Sequence, residues 1–124
     1  MTLAYWCVLV AALLPYVWVG FAKYPLRDYD NHAPRAYEER LTGWRQRAYW
    51  AHNNAFEAFA PFAAGVIVAH QLHANQAAVD ALAALFIAMR VLHGVLYMTD
   101  RASLRSIVWS VGFLSVIGLF VAGA

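Results

Sequence analysis

The sequence predicts an all-α membrane protein, an antiparallel bundle of four transmembrane helices, and three observations lead to this fold. Hydrophobic residues make up 63% of the 124-residue chain and charged residues 13%, whereas soluble domains contain about half apolar and about a quarter charged residues. Four segments are long enough, or nearly so, to cross a hydrocarbon core that takes about 20 helical residues. Basic residues are concentrated in two of the three connections between these segments.

The four predicted spans cover residues 3–22, 48–70, 77–98 and 107–124 within a single domain, 1–124. The first span contains no charge and lacks the basic start and small-residue cleavage site of a signal peptide, so we expect it to remain attached. Pro15 and Pro61 predict local kinks, which a bundle tolerates when neighbouring groups satisfy the freed carbonyls. Asp80 is expected in the first turn of the third span, where the helix dipole favours a negative charge.

The positions of lysine and arginine predict the orientation in the membrane. The polar first connection, residues 23–47, is rich in basic side chains, and Arg101 and Arg105 lie beside the third connection. The second connection, residues 71–76, contains neither lysine nor arginine and is long enough only for an antiparallel helical hairpin. The positive-inside bias therefore places the first and third connections in the cytoplasm and both termini on the opposite side.

Composition and spacing argue against several other classes of protein. The basic residues form no stripe with interleaved stacking aromatics, so nucleic-acid binding is not expected. Cys7 is the single cysteine and has no second thiol for a disulfide or a metal site. The His70-x-x-His73 pair lies in a polar turn without further ligands, so no metal site is predicted.

Polar residues recur at helical spacing on two spans and at the entry of a third. Residues at i, i+3 and i+7 share one face of a helix. The second span enters from the cytoplasmic side and the third leaves toward it, so their polar stripes can converge at one depth. Ionisable groups within a membrane normally face a bundle interior or a wet cavity. The expected pocket therefore contains Arg47, Trp50, Asn54 and Glu57 on the second span, Arg90, His93 and Tyr97 on the third, and Arg105 and Ser106 at the entry of the fourth.

These residues also have purely structural interpretations. Glu57 and Arg90 are the natural ion pair, and such a pair can fix helix register without binding a ligand. Asn54 can be an interhelical hydrogen-bonding residue. His93 can be an interior histidine, since no carboxylate or serine stands beside it at triad-like spacing. The remaining residues can serve the membrane boundary as a belt aromatic, an interfacial anchor and a helix cap: Tyr97, Arg105 and Ser106.

Taken together, the motifs resemble the MAPEG family, the membrane-associated proteins in eicosanoid and glutathione metabolism, and in particular its short bacterial members. The segments RAYWAHNNAFEAFAPF, RVLHGVLY and LRS follow one another in the family's order, after a first loop that contains YDNHAPR. The resemblance covers nearly the whole chain. It implies a homotrimer of four-helix subunits, located in a bacterial inner membrane, with a glutathione site between adjacent subunits near the cytoplasmic face.

The resemblance also implies roles for individual residues. The family pattern Glu-Arg-x-x-Arg-Ala-x-x-Asn-x-x-Glu aligns with QRAYWAHNNAFE, in which Gln46 and Trp50 depart from it. The tryptophan cannot make the bidentate contact with a carboxylate that an arginine makes. Arg105 corresponds to the arginine that steadies the glutathione sulfur, and Ser106 to an adjacent hydroxyl. The implied glutathione-binding residues are Arg47, Asn54, Glu57, Arg90, His93 and Tyr97.

The activity implied by the resemblance is that of a glutathione-dependent transferase or peroxidase. A guanidinium near the sulfur stabilises the thiolate and lowers the thiol pKa from its ordinary value of about 8.5. The acceptor is then a lipophilic electrophile that enters from the bilayer. The implied reaction is either conjugation of this acceptor to glutathione or reduction of a peroxide. A non-catalytic lipid-binding protein of the same fold is the alternative, and the tryptophan at position 50 fits it. An ion or proton pathway has less support, because the polar residues are confined to one half of the membrane.

Overall fold

The computed structural model describes residues 1–124 and consists of helices and their connections, without strands. The all-α class is therefore confirmed. Helix α1 packs mainly against α3, and α4 mainly against α5, while α3 also contacts both α4 and α5. The helices are α1 (Leu3–Lys23), α2 (Pro34–Glu39), α3 (Gly43–Gln71), α4 (Gln76–Met98) and α5 (Ala102–Ala122).

Three of these helices, α1, α4 and α5, are long and apolar enough to cross a membrane. Helix α3 is the longest, at 29 residues, but it begins in the polar sequence GWRQR and carries Asn53, Asn54 and Glu57 further along. It is too polar on average to qualify on length and composition alone. The predicted spans at the start of the chain and in its second half are thus supported as membrane helices.

Two helices extend beyond the segments predicted from apolar composition. Helix α3 begins at Gly43 instead of residue 48, and α5 begins at Ala102 instead of residue 107 and ends at Ala122. Apolar composition marks the part of a helix suited to lipid, whereas hydrogen bonding continues into the polar flank.

Because α4 begins at Gln76, Asp80 lies beyond its first turn. The predicted position of Asp80 in the first turn of its helix is therefore wrong.

Small residues let the helices approach closely in the core. The largest buried cluster joins α1, α3, α4 and α5 and contains the stacked rings of Phe62 and Phe86, whose centroids lie 3.9 Å apart. Alanines from α1, α3 and α4 complete its interior, and Cys7 is buried there. Close packing of small side chains is the usual basis of helix association in membranes. This core lies toward the end of the bundle at which α1 begins.

The first connection is ordered by contacts of its side chains. Lys23 Nζ lies 3.0 Å from Glu38 Oε1, and Glu38 is buried. The Arg45 guanidinium donates to the Ala22 carbonyl at 2.8 Å and to the Tyr37 hydroxyl at 2.6 Å. The end of α1, the short helix α2 and the start of α3 are therefore held together.

Candidate functional site

The centre of the polar site is a chain of hydrogen bonds between α3 and α4. Arg90 Nη2 donates to Asn54 Oδ1 at 2.8 Å, and Asn54 Nδ2 donates to Glu57 Oε2 at 3.1 Å. The direct ion pair expected between Glu57 and Arg90 is not formed, since the ion pair within 4.0 Å in this structure joins Lys23 and Glu38. An amide can accept from a guanidinium and donate to a carboxylate at once, so Asn54 stands between the two charges.

Burial explains why Arg90 needs this partner. Its side chain is on α4 and only 5% exposed, whereas Glu57 is on the exposed side of α3. A charge inside a membrane bundle is costly unless it is paired, hydrogen-bonded or hydrated. The arrangement thus fixes a guanidinium in the interior while its carboxylate partner remains accessible.

Helix α5 contributes a second cationic group. The Arg105 guanidinium carbon lies 4.1 Å from the centroid of the Tyr97 ring, which is a cation–π contact. Tyr97 in turn meets the His93 ring edge-on at 5.5 Å. Arg105 therefore has an aromatic neighbour but no carboxylate partner, and its charge remains available to an anionic ligand.

A cavity of about 240 Å³ brings five of the predicted site residues together. The cavity lies between α3, α4 and α5, and polar side chains make up most of its lining. We call it the polar cavity, and its lining residues are Asn54, His93, Tyr97, Arg105, Ser106, Trp109 and Ser110. The Ser106 hydroxyl donates to the Ala102 carbonyl at 3.2 Å, so in this structure it completes a turn of its own helix.

A second cavity, of about 170 Å³, adjoins the polar cavity and is more apolar. Its polar end carries the hydrogen-bonded chain of Asn54, Glu57 and Arg90, and its other side carries the stacked rings of Trp109 and Phe113, 5.3 Å apart. We call it the apolar cavity. Asn54 and Trp109 line both cavities. A polar ligand and an apolar one can thus lie side by side across these two residues.

His93 is the least satisfied of the buried polar residues. It is 3% exposed, and its Nδ1 atom has no hydrogen-bond partner. Buried polar atoms without a partner are rare in folded proteins. Since His93 also lines the polar cavity, a ligand there lies next to the buried imidazole of α4.

Of the eight residues predicted to act in catalysis or glutathione binding, Arg47 is the one that stands apart. Its guanidinium donates through Nε and Nη2 to the Met98 carbonyl, at 3.2 and 3.1 Å. Met98 is the last residue of α4, and basic side chains commonly satisfy the free carbonyls at a helix C-terminus. Arg47 therefore fixes the end of α4 to α3 and lies outside the lining of both cavities.

Beyond Arg105 and Ser106, the sequence pattern does not identify the residues that α5 presents to the cavities. Trp109, Ser110 and Phe113 contribute to the lining. Trp109 and Phe113 follow Arg105 at steps of one helical turn, and this spacing is the signal that places them on its face. Aromatic residues are ordinary in an apolar span, so the pattern does not stand out.

No group of three or more metal-ligating side chains occurs in the structure.

Comparison with known proteins gave one match. A family model described as the MAPEG family matches residues 3–124. No curated protein and no solved structure matches the chain. The matched region runs from the first residue of α1 to the C-terminus, so it includes every residue of both cavities.

Proposed function

The chain belongs to the MAPEG family, as the resemblance of its motifs indicates, and from this premise we propose that it is a membrane glutathione-dependent transferase or peroxidase acting on lipophilic electrophiles. The observation that carries the proposal is the lining of one cavity by Arg105, Tyr97 and His93 beside a second, apolar cavity. A thiol and an apolar acceptor need such adjacent sites to react.

Arg105 is proposed to activate the thiol. A positive charge beside a sulfur in a partly dehydrated site favours the thiolate, which is the reactive form. Arg105 is suited to this because it is half-buried and has no acidic partner. Ser106 follows Arg105 in α5 and lines the same cavity. Rotation of its hydroxyl away from the Ala102 carbonyl would let it donate a hydrogen bond to the sulfur.

The rest of the glutathione molecule is proposed to bind toward α3 and α4. The exposed Glu57 carboxylate suits an ammonium group, and Arg90 and Asn54 present a guanidinium and an amide to the peptide part. His93 and Tyr97 complete this side of the polar cavity. Arg47 contributes by holding the end of α4 in place.

The acceptor is proposed to bind in the apolar cavity, against Trp109 and Phe113. In conjugation, the thiolate attacks an electrophilic carbon, a carbon–sulfur bond forms, and the leaving group departs with the electron pair of its bond. In peroxide reduction, the thiolate attacks an oxygen and breaks the O–O bond. The alkoxide takes up a proton, and a second thiol converts the resulting sulfenic acid into a disulfide and water.

Replacement of Arg105 tests this function. Glutathione is expected to raise the thermal unfolding temperature of the detergent-solubilised protein, and Arg105→Ala is expected to lower turnover of a chlorodinitrobenzene-type acceptor on the order of 10²-fold, as loss of a charge-stabilising donor does. Arg101→Ala is the matched control, because Arg101 is exposed and lines neither cavity. Equal turnover in the wild type and Arg105→Ala would contradict the proposed role.

A lipid-binding protein without thiol chemistry is the second candidate, and Trp50 favours it. This residue is 44% exposed and lines a cavity of about 390 Å³ with Asn53, Asn54, Glu57 and Tyr97. It places an apolar ring beside the groups that would hold a peptide. Thermal stabilisation by fatty acids, together with no response to glutathione, would select this candidate.

We also propose that α3 is the fourth span and that three copies form a homotrimer in a bacterial inner membrane. The family resemblance supports this assembly, as does the exposure of Trp50 and Glu57 in the single chain, which leaves one side of the site uncovered. The first and third connections would then face the cytoplasm. The mass of the detergent-solubilised particle, corrected for bound detergent, distinguishes a trimer from a monomer.

A further inference from the structure

A third group of arginines lies away from the proposed thiol site. A cavity of about 360 Å³ separates the first connection from the start of α3. We call it the arginine cavity, and its lining residues are Arg27, Asp28, Tyr37, Arg40, Leu41, Thr42 and Arg45. It shares no residue with the polar or the apolar cavity.

The contacts of Arg45 place this cavity at the membrane boundary. Its Nε atom donates to the carbonyl of Ala22 at 2.8 Å, in the last turn of α1. Helix α1 is one of the three helices that are long and apolar enough to span a membrane. The end of such a helix lies at the level of the lipid headgroups, and so does the guanidinium bound to it.

The charges in the arginine cavity are not neutralised by the protein. Arg27, Arg40 and Arg45 have no carboxylate within 4.0 Å, whereas the nearby Glu38 is already paired with Lys23 at 3.0 Å. Asp28 is the one acidic residue in the lining, and it is exposed. Guanidinium groups therefore outnumber carboxylates around a concave surface, which favours an anionic ligand.

Hydrogen bonds hold this surface in shape before any ligand binds. Arg45 donates to the Tyr37 hydroxyl at 2.6 Å, and that hydroxyl donates to the Arg27 carbonyl at 3.2 Å. Arg40 Nε donates to the Ala36 carbonyl at 3.1 Å, which leaves its terminal nitrogens without protein partners. The Thr42 hydroxyl makes no cap bond to α3. Fixed donors around a cavity lose little conformational freedom when an anion binds.

We propose that the arginine cavity binds the phosphate of an anionic phospholipid headgroup. Arginine matches the geometry of phosphate oxygens through its forked donors, and basic clusters next to a membrane helix attract anionic lipids. Large apolar side chains surround the same end of α1, with Phe21 47%, Tyr24 69% and Leu26 59% exposed. They offer a surface to acyl chains, which a free phosphate ion does not have.

Native mass spectrometry of protein extracted from an equimolar mixture of phosphatidylglycerol and phosphatidylcholine tests this proposal. We expect the wild type to retain phosphatidylglycerol preferentially and Arg40→Gln to lower that retention several-fold. Arg35→Gln removes the same charge from an exposed residue of α2 outside the cavity and is expected to retain the lipid as the wild type does. Asp28→Asn is expected to raise retention, and asparagine suits the φ of 57° at that position.

Three results would overturn the proposal. An equal loss of phosphatidylglycerol retention in Arg35→Gln and Arg40→Gln would indicate that the total positive charge of the first connection attracts the lipid, without a defined site. Equal retention of the two lipids by the unmodified protein would exclude an anion site, and this comparison requires no variant to fold. Displacement of the lipid by millimolar inorganic phosphate, with no dependence on acyl chains, would assign the cavity to free phosphate. Lipid retention is measured without any thiol turnover, so this test does not depend on the proposed function.

Discussion

At Asn54, one amide satisfies two charged side chains on different helices. It accepts from Arg90, which is 5% exposed, and donates to Glu57, which is exposed. The three residues would otherwise require either a direct ion pair or water to hydrate the guanidinium. Asn54 thus has a structural role in the bundle and, as a residue lining both cavities, is available to a ligand.

Replacement of Asn54 by alanine is expected to destabilise the fold. A hydrogen bond to a charged group contributes about 1.5–3 kcal/mol, so Asn54→Ala should lower the free energy of unfolding by about that amount in detergent. Asn53→Ala is the control, because Asn53 is also half-buried but its side chain takes no part in the hydrogen-bonded chain of Arg90, Asn54 and Glu57. If both variants unfold like the wild type, Arg90 does not depend on this amide.

Gly94 is a second residue whose role follows from a single contact. A Cβ atom there would overlap the Trp18 ring, because the indole of α1 lies directly against the backbone of α4. Trp18 is 5% exposed and has little room to move. The absence of a side chain at Gly94 is therefore what allows α1 and α4 to meet at this depth.

Gly94→Ala is expected to lower the free energy of unfolding by about 1–3 kcal/mol, the usual effect of overpacking a core. Gly20→Ala provides the comparison, since nothing lies within 4 Å of its Cβ position. In a helix that change is expected to stabilise, by up to about 1 kcal/mol. Thermal unfolding of both variants measures the difference, and equal stability would show that Trp18 moves aside freely.

Among the elements, α1 begins with a cap supplied by another helix. The Asp80 carboxylate of α4 accepts from the Ala4 backbone N–H at 2.8 Å. Its Oδ1 atom also accepts from Gln76 Nε2 at 2.9 Å. The Thr2 hydroxyl accepts from the Tyr5 N–H at 3.4 Å, so two of the free donors at this helix start are satisfied.

Asp80→Ala removes this cap and is expected to cost about 0.5–2 kcal/mol of stability. Asp80→Asn keeps an acceptor oxygen and is expected to cost less, since only the charge is lost. Amide hydrogen exchange at Ala4 provides a local readout and should accelerate most in the alanine variant. Unchanged exchange at Ala4 in that variant would show that the carboxylate does not hold the start of α1.

For the whole molecule, the path of α3 determines the topology. If α3 crosses the membrane, cysteines introduced at Arg35 and Ser103 label from one side of sealed vesicles, and a cysteine at Gln71 labels from the other. All three residues are exposed, and the native Cys7 is buried and can be replaced by alanine for this experiment. An impermeant maleimide gives the readout, and labelling of positions 35 and 71 from the same side would rule out a fourth span.

Composition and periodicity were enough to predict the helical class, the membrane setting and the residues on each polar stripe. These properties depend on composition and on a helical period of 3.6 residues, both of which are local. Seven of the eight residues predicted to act in catalysis or glutathione binding lie around the two cavities, because residues on one face of a helix remain on one face wherever that helix packs.

The contacts between these residues, by contrast, depend on how the helices pack against one another. Asn54 lies between Glu57 and Arg90, Arg47 holds the end of α4, and Asp80 caps α1 in place of its own helix. Each contact depends on how far one helix is rotated and shifted along its neighbour. Periodicity specifies a face, but not the depth at which two faces meet, so the partners are fixed only when the helices pack.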